Sequence, residues 1–167
     1  MAIDDWFSAS YGEARAKFLD AAGAAGATRQ SYPHPLKGPD GGDLATDLAY
    51  LGPDDAPRVM VVSSATHGVE GFCGSGCQVG FLESGLHDEL PDGMAVMYVH
   101  AHNPHGFVHE RRVTEDNVDL NRNFIDFEAP LPENPAYDEV HPWLVPSDWD
   151  GPAHQAADTA RPILRPM

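Results

Sequence analysis

Ser63-Ser64-Ala65-Thr66-His67-Gly68-Val69-Glu70-Gly71 is the stretch on which the reading of this 167-residue chain turns. It follows Arg58-Val59-Met60-Val61-Val62, the most strand-like run in the sequence, and precedes a segment with helical spacing. Imidazole nitrogen and carboxylate oxygen are both good zinc ligands, so a His and a Glu three residues apart at a strand-to-helix junction can hold one metal ion from one turn of backbone. Glycine on either side of the Glu frees the chain to bend sharply. A His-x-x-Glu pair also arises by chance, and a loop histidine beside a surface glutamate is the plain alternative.

Working outward, Val59–Ser63 is expected to be a buried strand, apolar on both faces. Residues 71 to about 85 predict a helix with Phe72, Val79, Phe81, Leu82 and Leu86 as core. Met94–Val99 predicts a second buried strand. Strand, helix, strand within about forty residues is a βαβ crossover, which makes the two strands parallel. Ligands in such sheets bind at the carboxyl ends of the strands. His67 and the segment His100–Asn103 both fall there.

Upstream, Trp6, Phe7, Tyr11, Ala14, Phe18, Leu19 and Ala22 recur at three-to-four spacing, predicting a helix over 3–25. Strands are expected near Thr28–Tyr32 and Leu44–Leu51, the second at a sheet edge. Pro33–Gly42 between them is rich in turn residues. Downstream, six prolines between 126 and 152 exclude long helices and central strands, so this piece reads as an ordered loop or linker. A short helix is expected from Ala153 to Ala160.

Composition narrows the function. With 26 acidic and 10 basic residues the net charge is −16, which argues against nucleic acid and anionic membranes as partners. No apolar run approaches the ~20 residues that span a bilayer. The N-terminus has neither the basic region nor the apolar core of a secretory signal, so a cytoplasmic location is expected. Cys73 and Cys77, four apart, read as small buried core residues. The chain is long enough for one domain, and it is read as a single unit over 1–167.

Two more constellations carry candidate chemistry. Arg111, Arg112 and Arg122 lie within twelve residues of an acidic chain, and Asn121 adds an amide donor. Guanidinium binds carboxylate through paired hydrogen bonds and keeps its charge, so an anion site is indicated. Salt bridging to Glu110, Glu115 and Asp116 is the alternative. Asp119 is a candidate partner that holds this loop in shape. Histidines 100, 102, 105 and 109 form the other cluster. His100 and His102 would share a face on a continuous strand, but Asn103-Pro104-His105-Gly106 signals a turn.

With these residues in view, the chain resembles the carboxypeptidase A-like zinc carboxypeptidase superfamily. His67-Gly68-Val69-Glu70 resembles its His-x-x-Glu zinc motif, and Asn103-Pro104-His105-Gly106-Phe107 its Asn-Pro-x-Gly-Phe turn. Arg112 resembles its oxyanion arginine. Asp119-Leu120-Asn121-Arg122-Asn123-Phe124 resembles the segment whose Asn-Arg pair holds the substrate carboxylate. The wording is closest to a bacterial branch near succinylglutamate desuccinylase and aspartoacylase. The resemblance covers residues 58–127. It implies a three-layer α/β sandwich with a mixed, largely parallel sheet, and one zinc ion held by His67 and Glu70. It also implies Arg112 as a catalytic group, with Asn121 and Arg122 binding a small peptide or acyl-amino-acid substrate through its carboxylate.

The implied activity is metallocarboxypeptidase-like hydrolysis of a C-terminal peptide or amide bond. The alternatives are a deacylase of N-acyl amino acids and an inactive domain that binds an anion or a partner. The third zinc ligand and the general base of the family lie beyond its Asn-Arg pair. After Arg122 this chain offers His141 and His154, neither at a strand end, so it reads as the first half of such an enzyme.

Overall fold

The computed structural model describes residues 3–160. Contacts divide the chain into two compact units, meeting between Phe124 and Ile125.

The first unit opens with a 3₁₀ turn at Ile3–Trp6 and helix α1 at Tyr11–Ala24. The expected single helix over 3–25 is interrupted because Ser10, in an extended conformation, caps α1 by accepting from the Glu13 N–H. Strands β1 (Thr28–Lys37) and β2 (Asp43–Leu51) follow, then β3 (Arg58–Ser63), helix α2 (Glu70–Glu83), β4 (Met94–His100) and the short helix α3 (Pro104–Val108). The sheet order is β1-β2-β4-β3. β3 and β4 pair in parallel from Arg58↔Met94 to Ser63↔Val99, as the crossover pattern requires.

The α/β class and the mixed sheet match the expectation, but the balance of pairings differs. β1–β2 and β2–β4 are both antiparallel, so one ladder of the three is parallel. β2 is central rather than at an edge. Its half-polar alternation comes from Asp47, which is fully buried and bound by Arg15 of α1 at 2.6 and 3.1 Å. Two of the three prolines assigned to a turn, Pro33 and Pro35, lie within β1. That edge strand tolerates Pro33 and Pro35, with a register irregularity between Pro33 and Lys37.

The core lies on one face of the sheet. Phe18, Ala21 and Ala22 of α1, with Val79 and Leu82 of α2, pack on Ala49, Val96 and Tyr98. A second cluster joins Tyr11 and Ala14 to Leu44, Ala65, Ala101 and Phe107. Helices α1, α2 and α3 thus pack around the core side of the sheet. The expectation that β3 is buried on both faces is corrected. Met60 and Val62 meet the helices, while Val59 and Val61 are 45% and 55% exposed on the outer side. Apolar content alone does not separate a central strand from an edge strand with one bare face. Cys73 and Cys77 are likewise exposed rather than buried. They lie on the outer side of α2, which turns Ser75, Gln78 and Val79 inward.

The second unit holds α4 (Pro135–Leu144) and α5 (Pro152–Ala160). The ten-residue α4 corrects the reading of 126–152 as a loop or linker. Pro135 occupies the start of the helix, where its missing N–H costs nothing, and Asn134 caps it by accepting from the Tyr137 N–H at 3.2 Å. Among the described residues no helix is long and apolar enough to cross a membrane.

Candidate functional site

The carboxyl ends of β3 and β4 are joined by backbone before any side chain is considered. Ser64 N–H donates to Val99 O, His102 N–H to Ser64 O, and Asn103 N–H to Ala65 O, all within 3.0 Å. Ala65 takes a left-handed backbone conformation, φ 55°, which non-glycine residues rarely adopt. The turn that follows brings Gly68 against the loop after α3. Gly68 N–H donates to Arg111 O and Arg111 N–H to Gly106 O, at 2.9 and 2.8 Å. A Cβ on Gly68 would stand 1.9 Å from the Gly106 carbonyl oxygen. The glycine of the His-Gly-Val-Glu run therefore serves close backbone approach, not bending. Gly106 is confined in turn, with Asn103 capping α3 and accepting from the Gly106 N–H at 2.7 Å.

This framework presents His67 between two carboxylates. His67 Nδ1 faces Glu70 Oε1 at 3.2 Å and Nε2 faces Asp119 Oδ1 at 3.1 Å. The other Asp119 oxygen accepts from Arg112 Nε at 2.8 Å, and Oδ1 also accepts from the Asn121 N–H at 3.0 Å. Burial pushes the Asp119 carboxyl up. Arg112, His67 and the Asn121 N–H outweigh that and hold it below the usual carboxylate range. Glu70 opens α2, where the partial positive charge of the helix start favours a carboxylate.

A neutral imidazole carries one proton. Asp119 and Glu70 are both pure acceptors, so a neutral ring donates to one of them and turns a lone pair toward the other. Two acceptor atoms that close repel unless a proton or cation lies between them. Tetrahedral zinc with bonds of about 2.0–2.1 Å spaces its ligand atoms by about 3.3 Å. The pair has that spacing, and Asp119 stands where an outer carboxylate fixes a metal-bound imidazole.

The fit to zinc is partial. Among the described residues no three His, Cys, Asp or Glu side chains are arranged to hold a metal. His141 and His154 belong to the second unit, where they have local partners. The His141 ring lies 3.0 Å from the Tyr137 hydroxyl, and His154 lies near Asp150 and Asp158.

A cleft of about 350 Å³ opens here, lined by Ser63–His67, Glu70, Gly74 and Asn121. Of the five residues expected at one site, His67, Glu70 and Asn121 line it, and Arg112 is joined to it through Asp119. Arg122 differs: it is exposed, outside that lining, and donates to the Asn121 carbonyl at 3.0 Å. Arg112 uses only Nε, so its two terminal nitrogens make no hydrogen bond among the described residues. A larger hollow of about 580 Å³ beside Tyr11, Arg15 and Phe107 lies away from these groups. It has volume, but its arginine already neutralises Asp47.

Two links were not legible beforehand. Thr66 Oγ1 lies 3.4 Å from His102 Nδ1, which places His102 beside the cleft, and burial lowers its pKa. The buried Gln78 accepts from Ser64 and donates to the Val62 and Val99 carbonyls, bracing both strand ends from α2.

The family model described as "Protein of unknown function (DUF2817)" matches residues 7–164. The chain belongs to that family. No curated protein matches it. Among solved structures, the chain shows partial likeness to an exopeptidase and to glutaminyl cyclases. One is a Zn-dependent exopeptidase from Parabacteroides distasonis, at 10% identity and TM-score 0.41, covering 72% of this chain and 44% of the other. Another is the glutaminyl cyclase of Tannerella forsythia, at 10% and 0.43, covering 67% and 43%. The glutaminyl cyclase of Fimbriiglobus ruber matches at 13% and 0.39, covering 58% and 40%. This DUF2817 chain thus spans less than half of each of these three structures. Likeness at this level carries no argument about its chemistry.

Proposed function

We propose that the His67–Glu70 end of the cleft holds one zinc ion in a hydrolase of C-terminal peptide or amide bonds. Its substrate is a small peptide or acyl amino acid with a free carboxylate. The reading rests on one observation: His67 Nδ1 faces Glu70 Oε1 at ligand-to-ligand spacing, while Asp119 faces the opposite ring nitrogen.

Zinc, when bound, supplies a Lewis acid and lowers the pKa of a water molecule. The chain's own groups do the rest. Asp119 keeps the His67 ring in one tautomer and one orientation. Arg112, tied to Asp119 by Nε alone, offers its terminal nitrogens to a developing negative charge on the substrate carbonyl. Asn121 lines the cleft and is the group to meet a carboxylate there, and Arg122, outside that lining, would have to turn in to join it.

A catalytic zinc takes three protein ligands and an open position. With two donors in place among the described residues the chain on its own should hold zinc loosely, and without a base positioned among them the rate should fall by a factor of about 10²–10⁴. Turnover by this chain alone is expected to lie near background.

The test is zinc binding by the purified chain, with assays on C-terminal peptides and on N-acyl amino acids. His67→Ala and Glu70→Ala should each abolish zinc binding at the cleft. An unchanged number of bound zinc equivalents in both would sink the assignment. Strong, chelator-sensitive turnover lost in His67→Ala would instead show that a third ligand and a base are supplied. The substrate that turned over would then separate peptidase from deacylase.

A further inference from the structure

The histidines outside the cleft form a cluster of their own. His105 on α3 and His109 at its C-terminal end are one helical turn apart, with ring centroids 4.4 Å apart. His34, on edge strand β1, stacks on His105 at 6.1 Å. From the loop beyond, Glu115 Oε1 lies 3.0 Å from His34 Nε2, bridging 81 residues of sequence.

Several features set these groups apart from surface histidines. The Leu36 N–H donates to His34 Nδ1 at 3.1 Å, which fixes the ring and directs Nε2 outward. His105 Nδ1 is buried and has no hydrogen-bond partner. The rings of His105 and His109 make no hydrogen bond among the described residues. Burial first, then the neighbouring His109, holds the His105 ring below its ordinary pKa, which favours the neutral ring with one nitrogen lone pair available. Glu115 is held below the usual carboxylate range by its own backbone N–H and by His34, against a smaller opposing effect of burial. Neutral imidazoles with one ionised carboxylate are the donor set of zinc, nickel and copper sites.

We propose that His34, His105, His109 and Glu115 form a second site for a divalent first-row transition ion, separate from the His67 cleft. The ion clamps edge strand β1 to the loop that carries Arg112 and Asp119. Two histidines at i and i+4 already share one side of a helical turn. As the rings stand, no three donors meet at one centre among the described residues. Closing the site takes rotation of the exposed His109 ring about its two side-chain bonds, and replacement of the proton between His34 and Glu115 by the metal. Arg111 is the neighbouring cation. It is exposed and free to swing away, and Glu115 offsets its charge.

The test uses zinc alone and the His67→Ala/Glu70→Ala protein, which removes the cleft's donors. That protein should retain an equivalent of zinc and gain thermal stability from it. Adding His34→Gln or His105→Gln should weaken zinc binding by about tenfold or more. Glu115→Gln, a change on the exposed loop, gives a reading that does not depend on packing, and it should weaken zinc in the same direction. No zinc retained in the starting protein overturns the proposal. So does affinity unaltered by these substitutions, which would assign the metal elsewhere, Cys73 and Cys77 included.

Discussion

His67 and His100 both belong to the ends of the parallel strand pair, yet their surroundings are opposite. His100 closes β4 beneath the helices, stacked on Phe18 at 4.7 Å, with Nε2 2.9 Å from Ser75 Oγ. Its Nδ1 has no partner. Burial lowers its pKa to about 4, against a smaller upward pull from Asp47. His67 stands at the cleft with a carboxylate at each nitrogen. One ring is kept uncharged by apolar neighbours and serves packing. The other is oriented by acceptors and can take a cation. What a histidine does here follows from what its two nitrogens face, not from its place on the strand.

The largest break in this contrast should come from Gly68→Ala. The added methyl meets the Gly106 carbonyl of a paired loop that cannot yield, at an expected cost of about 3 kcal/mol or more. Urea unfolding measures it. A midpoint near that of the parent protein would mean that the two loops do not approach as described.

Acid should then separate the two histidines. A histidine with a depressed folded pKa contributes stability that is complete above its unfolded value of about 6.5 and is lost as pH falls toward the folded value. For His100 the window runs from about 6.5 to about 4, with a total on the order of 3 kcal/mol. His102 and His105, also lowered, act with the same sign. The carboxylates held low, Asp119 and Glu115 among them, lose their contribution only at more acid pH. Unfolding free energy measured from pH 7 to 4.5 should fall steadily, and His100→Gln should flatten the slope. A flat profile in the parent protein would remove His100 from the core.

A third change sharpens the cleft side. Asp119→Asn should lower zinc affinity by about 10–100-fold through loss of the outer carboxylate, with little change in stability, since the Arg112 pair is half exposed. Equal zinc affinity in Asp119→Asn would make Asp119 a loop brace and nothing more. The smallest effect is expected on the bare sheet face. Val61→Thr should shift stability by less than about 0.5 kcal/mol while reducing self-association in light scattering.

How much of this was readable beforehand varies with the range of the physics. The parallel β3–β4 pair was legible because two apolar runs flank a helix in a short span. The helix around Val79 and Leu82 was legible from spacing. The wall of the cleft was legible too, since His67, Glu70 and Asn121 stand in motifs whose residue types suit metal and anion binding. What failed depended on partners distant in sequence. β2 looked like an edge strand because Asp47 interrupts it, and its partner Arg15 is thirty-two residues away. β3 looked doubly buried because valine reports apolarity, not which face is covered. The bond from Asp119 to His67 crosses 52 residues, and no local pattern announces it. Pro135 was weighed as a helix breaker, although Asn-Pro is also a helix start.

The order β1-β2-β4-β3 also bears on how the chain is made. β4 is the last strand synthesised in this unit and the one that joins the other two halves of the sheet. Until Met94–His100 leaves the ribosome, the β1–β2 hairpin and β3 each present an unpaired edge. The nascent chain must hold these apart, because β2 has no native partner in β3. Premature pairing between them would exclude β4 and leave Ser64 and Ala65 without the backbone partners that shape the cleft. Nascent chains stopped before Met94 should therefore bind chaperones and resist no protease, whereas chains carried past Asn121 should become resistant in one step. Partial resistance appearing earlier would show that the hairpin and crossover helix fold without their central strand.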